Sequence, residues 1–378
     1  MPDPALPSGF IIDAHADTPQ RFTDEGWNFT APLHGGMLNL ETARAASLAA
    51  EFFAIWVEPE QWKGRYAHRT LALVDGVLEQ VRKHSGKVAL CRSANEILAA
   101  HRQGKFAALM GIEGGHSIEN NLGLLRSYYR LGVRYMTLTW SNSNEWADSS
   151  GDLNDPRVPH HNGLTSFGKL VVREMNRRGM MVDVSHVSDK TFWDTLDISR
   201  APIIASHSSA RALTQAPRNL TDEMLRALAG KEGVAMVNFF PAFIDENWRN
   251  DWNAQRPERR IAHEKAAAPY KDRDEAVPFA VSDKIDREFA AKIGRAPFSS
   301  LIDHFDHMIQ VAGIDHVGIG TDFDGIPVLP EGIDSAADLP KISAALMARG
   351  YTAGDMNKLL SGNLLRVFRA VQSASDAL

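Results

Sequence analysis

Near the start of the chain, one imidazole and two carboxylates fall within Asp13-Ala14-His15-Ala16-Asp17, directly after the apolar run Phe10-Ile11-Ile12. In an extended strand, residues two apart leave the same face. His15 and Asp17 therefore emerge together, an imidazole beside a carboxylate, ready to hold a divalent cation. Groups of the same kind stand at the ends of other apolar runs. Glu113 closes one such run in Gly111-Ile112-Glu113-Gly114-Gly115, His186 another in Val184-Ser185-His186, and His207 a third in Ser206-His207-Ser208. Asp322 and Asp324 end a fourth, in Thr321-Asp322-Phe323-Asp324. These residue types in this pattern point to metal-assisted hydrolysis.

Each of these residues has a plainer explanation when taken alone. A single histidine on an apolar strand is more often a hydrogen-bonded core residue than a ligand. Glu113 alone reads as a charge at a helix N-terminus, and Asp324 beside Gly325 as a turn initiator. Taken together they are four carboxylates and three imidazoles, and no lysine or arginine lies within the same runs to neutralise them. An ionised carboxylate buried without a partner costs several kcal/mol, so such groups are paired or bind metal. Seven donors exceed the need of one four-coordinate zinc. Two ions sharing Glu113, one oxygen each, fit the number. His15 and Asp17 complete the first ion, and His186 and His207 the second. A hydroxide between two ions about 3.5–4 Å apart forms at neutral pH because the ions lower the pKa of water. Asp322, on the remaining side, is then the group that takes the proton and delivers it to a leaving amine.

Something must carry all these groups to one place. The runs Phe10–Asp17, Ser47–Val57, Phe106–Gly115, Val133–Trp140, Met180–Val187, Ala201–Ser208, Gly233–Phe240 and His316–Gly325 read as eight strands. They are continuously apolar rather than alternating, as strands covered on both faces are. Helical stretches lie between them. Tyr66–His84 spaces Leu71, Val74, Leu78 and Val81 by threes and fours, and Ser93–Gln103 opens on Ser93 with Glu96 three residues later. Leu164–Arg178 and Thr221–Leu228 follow the same spacing, Phe298–Val311 places its apolar residues less regularly, and Thr352-Ala353-Gly354-Asp355 caps a last helix running to about Val371. Eight strand–helix units predict an α/β fold, a (β/α)₈ TIM-like barrel forming one domain over 1–378. In such barrels the active site lies at the C-terminal ends of the strands, where five of the eight runs present a metal-ligand type. An open doubly wound sheet is the structural rival, but the glycine-rich nucleotide loop that usually marks it is missing. The segment 245–286, charged and rich in Trp, Arg, Lys and Ala, reads as a helical insertion between the seventh and eighth strands. It serves either as a cap or oligomer contact, or as a solvated surface excursion.

Composition removes several function classes. With 41 basic against 47 acidic residues, the net charge is −6, and no basic stretch offers itself to nucleic acid. The single cysteine, Cys91, excludes an intrachain disulfide and a multi-cysteine zinc site. No apolar run is long enough to span a bilayer. The start, Met1-Pro2-Asp3-Pro4-Ala5-Leu6-Pro7, has neither a basic nor an apolar leader pattern, so a cytoplasmic protein is expected.

The chain resembles the membrane (renal) dipeptidase family, peptidase M19, among the amidohydrolase-like hydrolases. The resemblance covers nearly the whole chain. Besides the motifs above it runs through His116-Ser117-Ile118, Arg134-Tyr135-Met136-Thr137-Leu138-Thr139, Asp183-Val184-Ser185-His186-Val187-Ser188, Ser209-Ala210, Arg218-Asn219, Gly318-Ile319-Gly320 and Asn363-Leu364-Leu365-Arg366-Val367-Phe368. It implies a binuclear zinc site held by His15, Asp17, Glu113, His186 and His207, with Asp322 as the acid/base residue. It also implies hydrolysis of free dipeptides, including L-Xaa-D-Xaa, by a homodimer. Arg218 matches the family arginine that receives the substrate's C-terminal carboxylate, a task suited to the guanidinium fork. Read without the resemblance, Arg218 is a surface residue before a helix.

One position departs from the family pattern. Where the renal member has a substrate-contacting histidine after the Leu-Thr of its fourth strand, this chain has Trp140. An indole N–H donates one hydrogen bond but neither accepts one nor changes charge. Trp140 either donates to the substrate oxygen, or leaves that role to Asn142 or Asn144, or narrows the pocket, or simply packs in the core. Losing one oxyanion donor typically costs about 10²–10³ in rate. Two other functions stay open at this point: hydrolysis of a cyclic amide, lactone or ester by the same centre, and a metal-binding homologue of weak activity.

Overall fold

The computed structural model describes residues 10–271 and 276–375. Its strands are β1 (Ile11–Ala16), β2 (Leu48–Trp56), β3 (Val88–Leu90), β4 (Phe106–Glu113), β5 (Val133–Thr137), β6 (Met181–Asp183), β7 (Ile204–Ala205), β8 (Val234–Val237) and β9 (Val317–Ile319). Eight of them close into a parallel ring in the order β2-β1-β9-β8-β7-β6-β5-β4, with β4 pairing back onto β2 from Ala50↔Ala107 to Trp56↔Glu113. Each expected run holds one ring strand, and the fold is the (β/α)₈ barrel.

The ninth strand, β3, went unread. It is three residues long and pairs with Phe106–Ala108, below the point where β5 joins β4 at Met110. A run that short carries no periodic signal.

Two apolar layers hold the barrel. One lies between strands and outer helices; the other fills the ring with Ile12, Ala14, Phe52, Leu109, Tyr135, Met181, Ile204 and Met236. The inner layer continues into Leu364, Leu365, Val367 and Phe368 of the last helix. Asn363 ties that helix to the start of β9 by donating to the carbonyls of Ile314 and Val317. The helix thereby stops the N-terminal end of the barrel, opposite the ligand-bearing ends.

The helical expectations are met with local differences. Helices span Tyr66–Lys83, Ala94–Arg102, Ser166–Arg178, Asp222–Gly230 and Phe298–Ala312. Ser93 caps its helix through the N–H of Glu96, but the Glu96 carboxylate takes the N–H of Arg92 instead of closing a capping box. Thr352 and Asp355 do form the reciprocal box. The helix that follows is interrupted by a π turn at Lys358–Gly362 before Asn363–Ser373.

Between β8 and β9 the chain leaves the barrel as an inserted helical segment. Helices Glu246–Ala254, Arg256–Lys271 and Phe279–Ile293 follow one another, and Asp245 caps the first through the N–H of Trp248. A small separate core of Ala242, Trp248, Ala290 and Ala296, packed by Phe240, Phe243 and Trp252, anchors this segment over the strand ends.

Candidate active site

In β1 the side-chain parity changes midway. Ile12 and Ala14 face the inner layer, yet His15 and Asp17 reach the same side. The cause is a β-bulge: Asp13 pairs with Glu51 and Ala16 with Phe53, so three steps on β1 match two on β2. A bulge re-aims the residues that follow it. The N–H of Asp17 then bonds to the Phe323 carbonyl, and the N–H of Asp322 to the His15 carbonyl, which stitches the ends of β1 and β9 together.

The strands end early at β6 and β7, and a single buried carboxylate is the reason. Asp183 Oδ1 accepts the backbone N–H groups of Ser185 (3.0 Å) and Ser206 (2.8 Å), groups that would otherwise extend the ladder. His186 and His207 therefore sit in turns just past the strands. His186 has φ of 67° and Asp322 φ of 63°, left-handed conformations that concentrate at this mouth.

The five expected ligands, Glu113 at the centre, form one cluster. Glu113 Oε2 lies 3.5 Å from His15 Nε2, which is also 3.5 Å from Asp17 Oδ2. Its Oε1 lies 2.7 Å from His186 Nε2 and 3.3 Å from His207 Nε2. The two carboxylate oxygens thus face two different donor groups. Ligand atoms of His15, Glu113 and His207 fall within 4.8 Å of one another, and so do those of His15, Asp17 and Asp322. Asp324 does not join them. Its oxygens accept from Thr18 Oγ1 and the Met37 N–H, both at 2.7 Å.

The hydrogen-bond network fixes which imidazole nitrogen is free. Tyr135 donates its hydroxyl to the Ala14 carbonyl (3.1 Å), so it accepts from His15 Nδ1 at 2.8 Å. Burial pushes the Tyr135 phenol well up, so it keeps that proton. Gly111 makes the contact sterically feasible: a Cβ there would meet the Tyr135 ring at 2.0 Å. Likewise Ser206 donates to Asp183 Oδ2 (2.6 Å) and accepts from His207 Nδ1 (2.7 Å). In the neutral rings each Nε2 therefore offers its lone pair to a ligand; although burial opposes it, the Glu113 and Asp17 carboxylates beside His15 Nε2 raise that imidazole well above its usual value, a cation-attracting field at the same point. His15 Nε2 is buried with no hydrogen-bond partner, and the Nε2 atoms of His186 and His207 stand 3.1 Å apart. Burial also holds His186 down to about 4 and His207 well below the usual imidazole value, so both are neutral near pH 7. Lone pairs and carboxylates crowded in this way repel unless cations lie among them, and the donor set fits divalent metal ions.

Asp322 is half-buried at the edge of this cluster, and burial with the Glu113 charge raises its carboxyl. Its Oδ2 accepts from Asn238 Nδ2 at 2.9 Å. Gly325 permits the approach of Asp17 and Asp322, since a Cβ there would fall within 2.5 Å of both carboxylates. Arg218 is buried behind His207. Its Nη2 donates to the His207 carbonyl (2.7 Å), its Nη1 to Ser208 Oγ (2.6 Å), and its Nε has no partner. Burial lowers it to about 10, which leaves it charged at neutral pH.

A cavity of about 1150 Å³ opens above the cluster. Asp17, Glu113, His186 and Asp322 form its floor, and the inserted segment supplies much of its wall through Phe243, Trp252, Phe279 and Asp283. Trp140 lines it too, half-buried between the rings of Trp56 (5.0 Å) and His186 (6.3 Å). Asn142 does not line the cavity; its amide bonds weakly to the Ser143 carbonyl (3.4 Å). Asn144 holds its own loop together, donating to Leu138 and accepting from the N–H groups of Trp146 and Ala147. Sequence reasoning passed over Asp183, Tyr135 and Asn238 as supporting groups. The first two lie inside the motifs named above, and Asn238 stands two residues before the end of the seventh run, a polar residue in an apolar stretch that was the available signal.

The family model for membrane dipeptidase (peptidase family M19) matches residues 6–378. Mouse Dipeptidase 3 is 31% identical over 371 residues, 97% of this chain and 65% of the relative, so the chain spans just under two thirds of that protein. Dipeptidase tcpJ of Claviceps purpurea is 30% identical over 90% of this chain and 70% of its own length. Among solved structures, the probable dipeptidase PvdM from Pseudomonas aeruginosa superposes with a TM-score of 0.79 at 26% identity, covering 97% of this chain and 96% of that one. A metallo peptidase from Rhodobacter sphaeroides, liganded with a phosphinate mimic of the dipeptide L-Ala-D-Ala, gives 0.76 at 26% identity, covering 97% and 100%. Barrel, ligand cluster and relatives agree, and the chain belongs to the membrane dipeptidase family, peptidase family M19.

Proposed function

We propose that this protein is a binuclear zinc dipeptidase acting on free dipeptides. The observation that carries the proposal is the division of Glu113, one oxygen toward His15 and the other toward His186 and His207. His15, Asp17 and Glu113 would hold one ion, and Glu113, His186 and His207 the other. Bound there, such ions polarise a carbonyl and lower the pKa of a water shared between them.

Hydrolysis adds a water oxygen to the carbonyl carbon, breaks the C–N bond and leaves an amine that needs a proton. Asp322 Oδ1, the oxygen that Asn238 does not engage, takes the water proton and returns it to that amine. Asn238 keeps the carboxylate aimed. Arg218, charged and with a free Nε–H, receives the C-terminal carboxylate of the substrate. Trp140 narrows the cavity beside His186. The ligand of the Rhodobacter relative supports extension to L-Xaa-D-Xaa dipeptides. A homodimer belongs to the same reading, and sedimentation would test it.

The direct test is zinc loading followed by a dipeptide panel. Turnover is expected to vanish on chelation and to return with about two equivalents of zinc per chain. Full metal occupancy without turnover of any L-L or L-D dipeptide would refute the proposal.

A further inference from the structure

Resting on the dipeptidase reading, we propose that the cavity selects dipeptides with a basic N-terminal side chain, and that Glu58 and Glu60 form the subsite. In register, Trp56 on β2 pairs with Glu113 on β4, so Glu58 stands two residues beyond the level of the ligand cluster. Both glutamates line the cavity above it.

Charge accounting singles these two out. Every other acidic wall residue outside the cluster has a cationic partner: Asp24 with Arg69 (2.6 Å), Glu264 with Arg260 (2.6 Å), Asp283 with Arg287 (2.7 Å), Asp286 with Arg259 (3.5 Å). Among the described residues, Glu58 and Glu60 have no cationic partner. Glu58 accepts the N–H of Gln61 at 2.5 Å, and burial together with the Glu60 charge pushes its carboxyl upward. An incoming cation relieves both. Trp56 lines the same wall and gives an aliphatic stem an apolar surface, whereas the Trp62 ring is already taken by the guanidinium groups of Arg65 (5.4 Å) and Arg69 (5.3 Å).

Topology decides which end of the substrate arrives there. Around the ring, β2 and β7 are diametrically opposed, four steps apart in either direction. Arg218 follows β7 and Glu58 follows β2. A dipeptide whose carboxylate is held by Arg218 crosses the ligand cluster and points its N-terminal residue at Glu58 and Glu60. The α-ammonium is common to all dipeptides, so only the side chain distinguishes substrates at this wall. The cavity volume of about 1150 Å³ leaves room for a long one.

The experiment compares kcat/KM of the zinc-loaded full chain for Arg-Ala, Lys-Ala, Leu-Ala and Glu-Ala at low and high salt. Arg-Ala and Lys-Ala are expected to exceed Leu-Ala by about tenfold at low salt, with Glu-Ala poorest and salt narrowing the range. Glu58→Gln and Glu60→Gln should each pull the Arg-Ala/Leu-Ala ratio toward one, and Glu60→Lys should favour Glu-Ala. Glu60 is exposed, so its variants test the idea even if Glu58→Gln folds poorly. Turnover of Leu-Ala as good as that of Arg-Ala, or a ratio unmoved by the Glu60 variants, overturns this inference and leaves the dipeptidase reading standing. Absence of turnover on every dipeptide overturns both.

Discussion

Asp183→Asn changes one oxygen of the chain and should reach the metal centre without touching a ligand. Asp183 accepts four hydrogen bonds: from Ser185 N–H (3.0 Å) and Ser206 N–H (2.8 Å) at Oδ1, and from Thr137 Oγ1 (2.5 Å) and Ser206 Oγ (2.6 Å) at Oδ2. The new amide keeps one acceptor oxygen, which the two backbone donors claim. Its NH₂ then faces the two hydroxyls, which must turn round and accept. Two bonds to a charged acceptor, about 1.5–3 kcal/mol each, are exchanged for neutral ones near 1 kcal/mol. The net loss of stability is about 1–4 kcal/mol. The functional effect is larger in kind. Once the Ser206 hydroxyl accepts from the amide, its proton points at His207 Nδ1, and the imidazole proton moves to Nε2, the atom facing Glu113. Loss of such a supporting partner typically weakens metal binding by about 10–100-fold. Chelator competition for zinc measures the affinity, and ¹⁵N shifts of His207 report the tautomer. Zinc affinity within about twofold of wild type, with the Nδ1–H tautomer retained, would refute the reasoning.

Three further outcomes are expected. Asp322→Asn should lower kcat by about 10²–10⁴ with little change in KM, measured by steady-state kinetics on zinc-loaded protein. Arg218→Met should lower kcat/KM for dipeptides by about 10–100-fold, the worth of a charged hydrogen bond to a carboxylate; an equal loss on a neutral ester would show that carboxylate recognition is not its role. His304 is buried, accepts the Ala210 N–H at its Nδ1 (3.0 Å), and burial lowers it to about 3. Its unfolded form takes a proton near pH 6.5 and its folded form does not, so its stabilising contribution is complete above 6.5 and fades as pH falls toward 3. Wild type should therefore lose roughly 1.4 kcal/mol per pH unit more than His304→Asn across that window, read from denaturant unfolding of metal-free protein.

The ring strands and the clustering of the donor residues were legible because burial and chemistry mark them twice. An apolar run that ends on His15, Glu113 or Asp322 places an expensive polar group where only a partner justifies it. What stayed illegible depends on pairings distant in sequence. The bulge in β1 exists only relative to β2, so the parity switch between Ala14 and His15 has no local sign. Tyr135 finds His15 across 120 residues, and Asn238 finds Asp322 across 84. Asp324 looked like a ligand from its position and proved to be a brace for Thr18 and Met37. Asn142 and Asn144 are a parallel case, polar residues near the site whose hydrogen bonds serve their own loop.

The excursion between β8 and β9 has an evolutionary corollary. The ligand-type side chains sit on the barrel strands or in the turns just past them, whereas much of the enclosure above them comes from one contiguous stretch with its own small nucleus of Trp248 and Ala290. Substitutions there can redraw what is admitted while the reacting apparatus keeps its alignment. Diversification among kin should accumulate in that roof first and in the strand tips last.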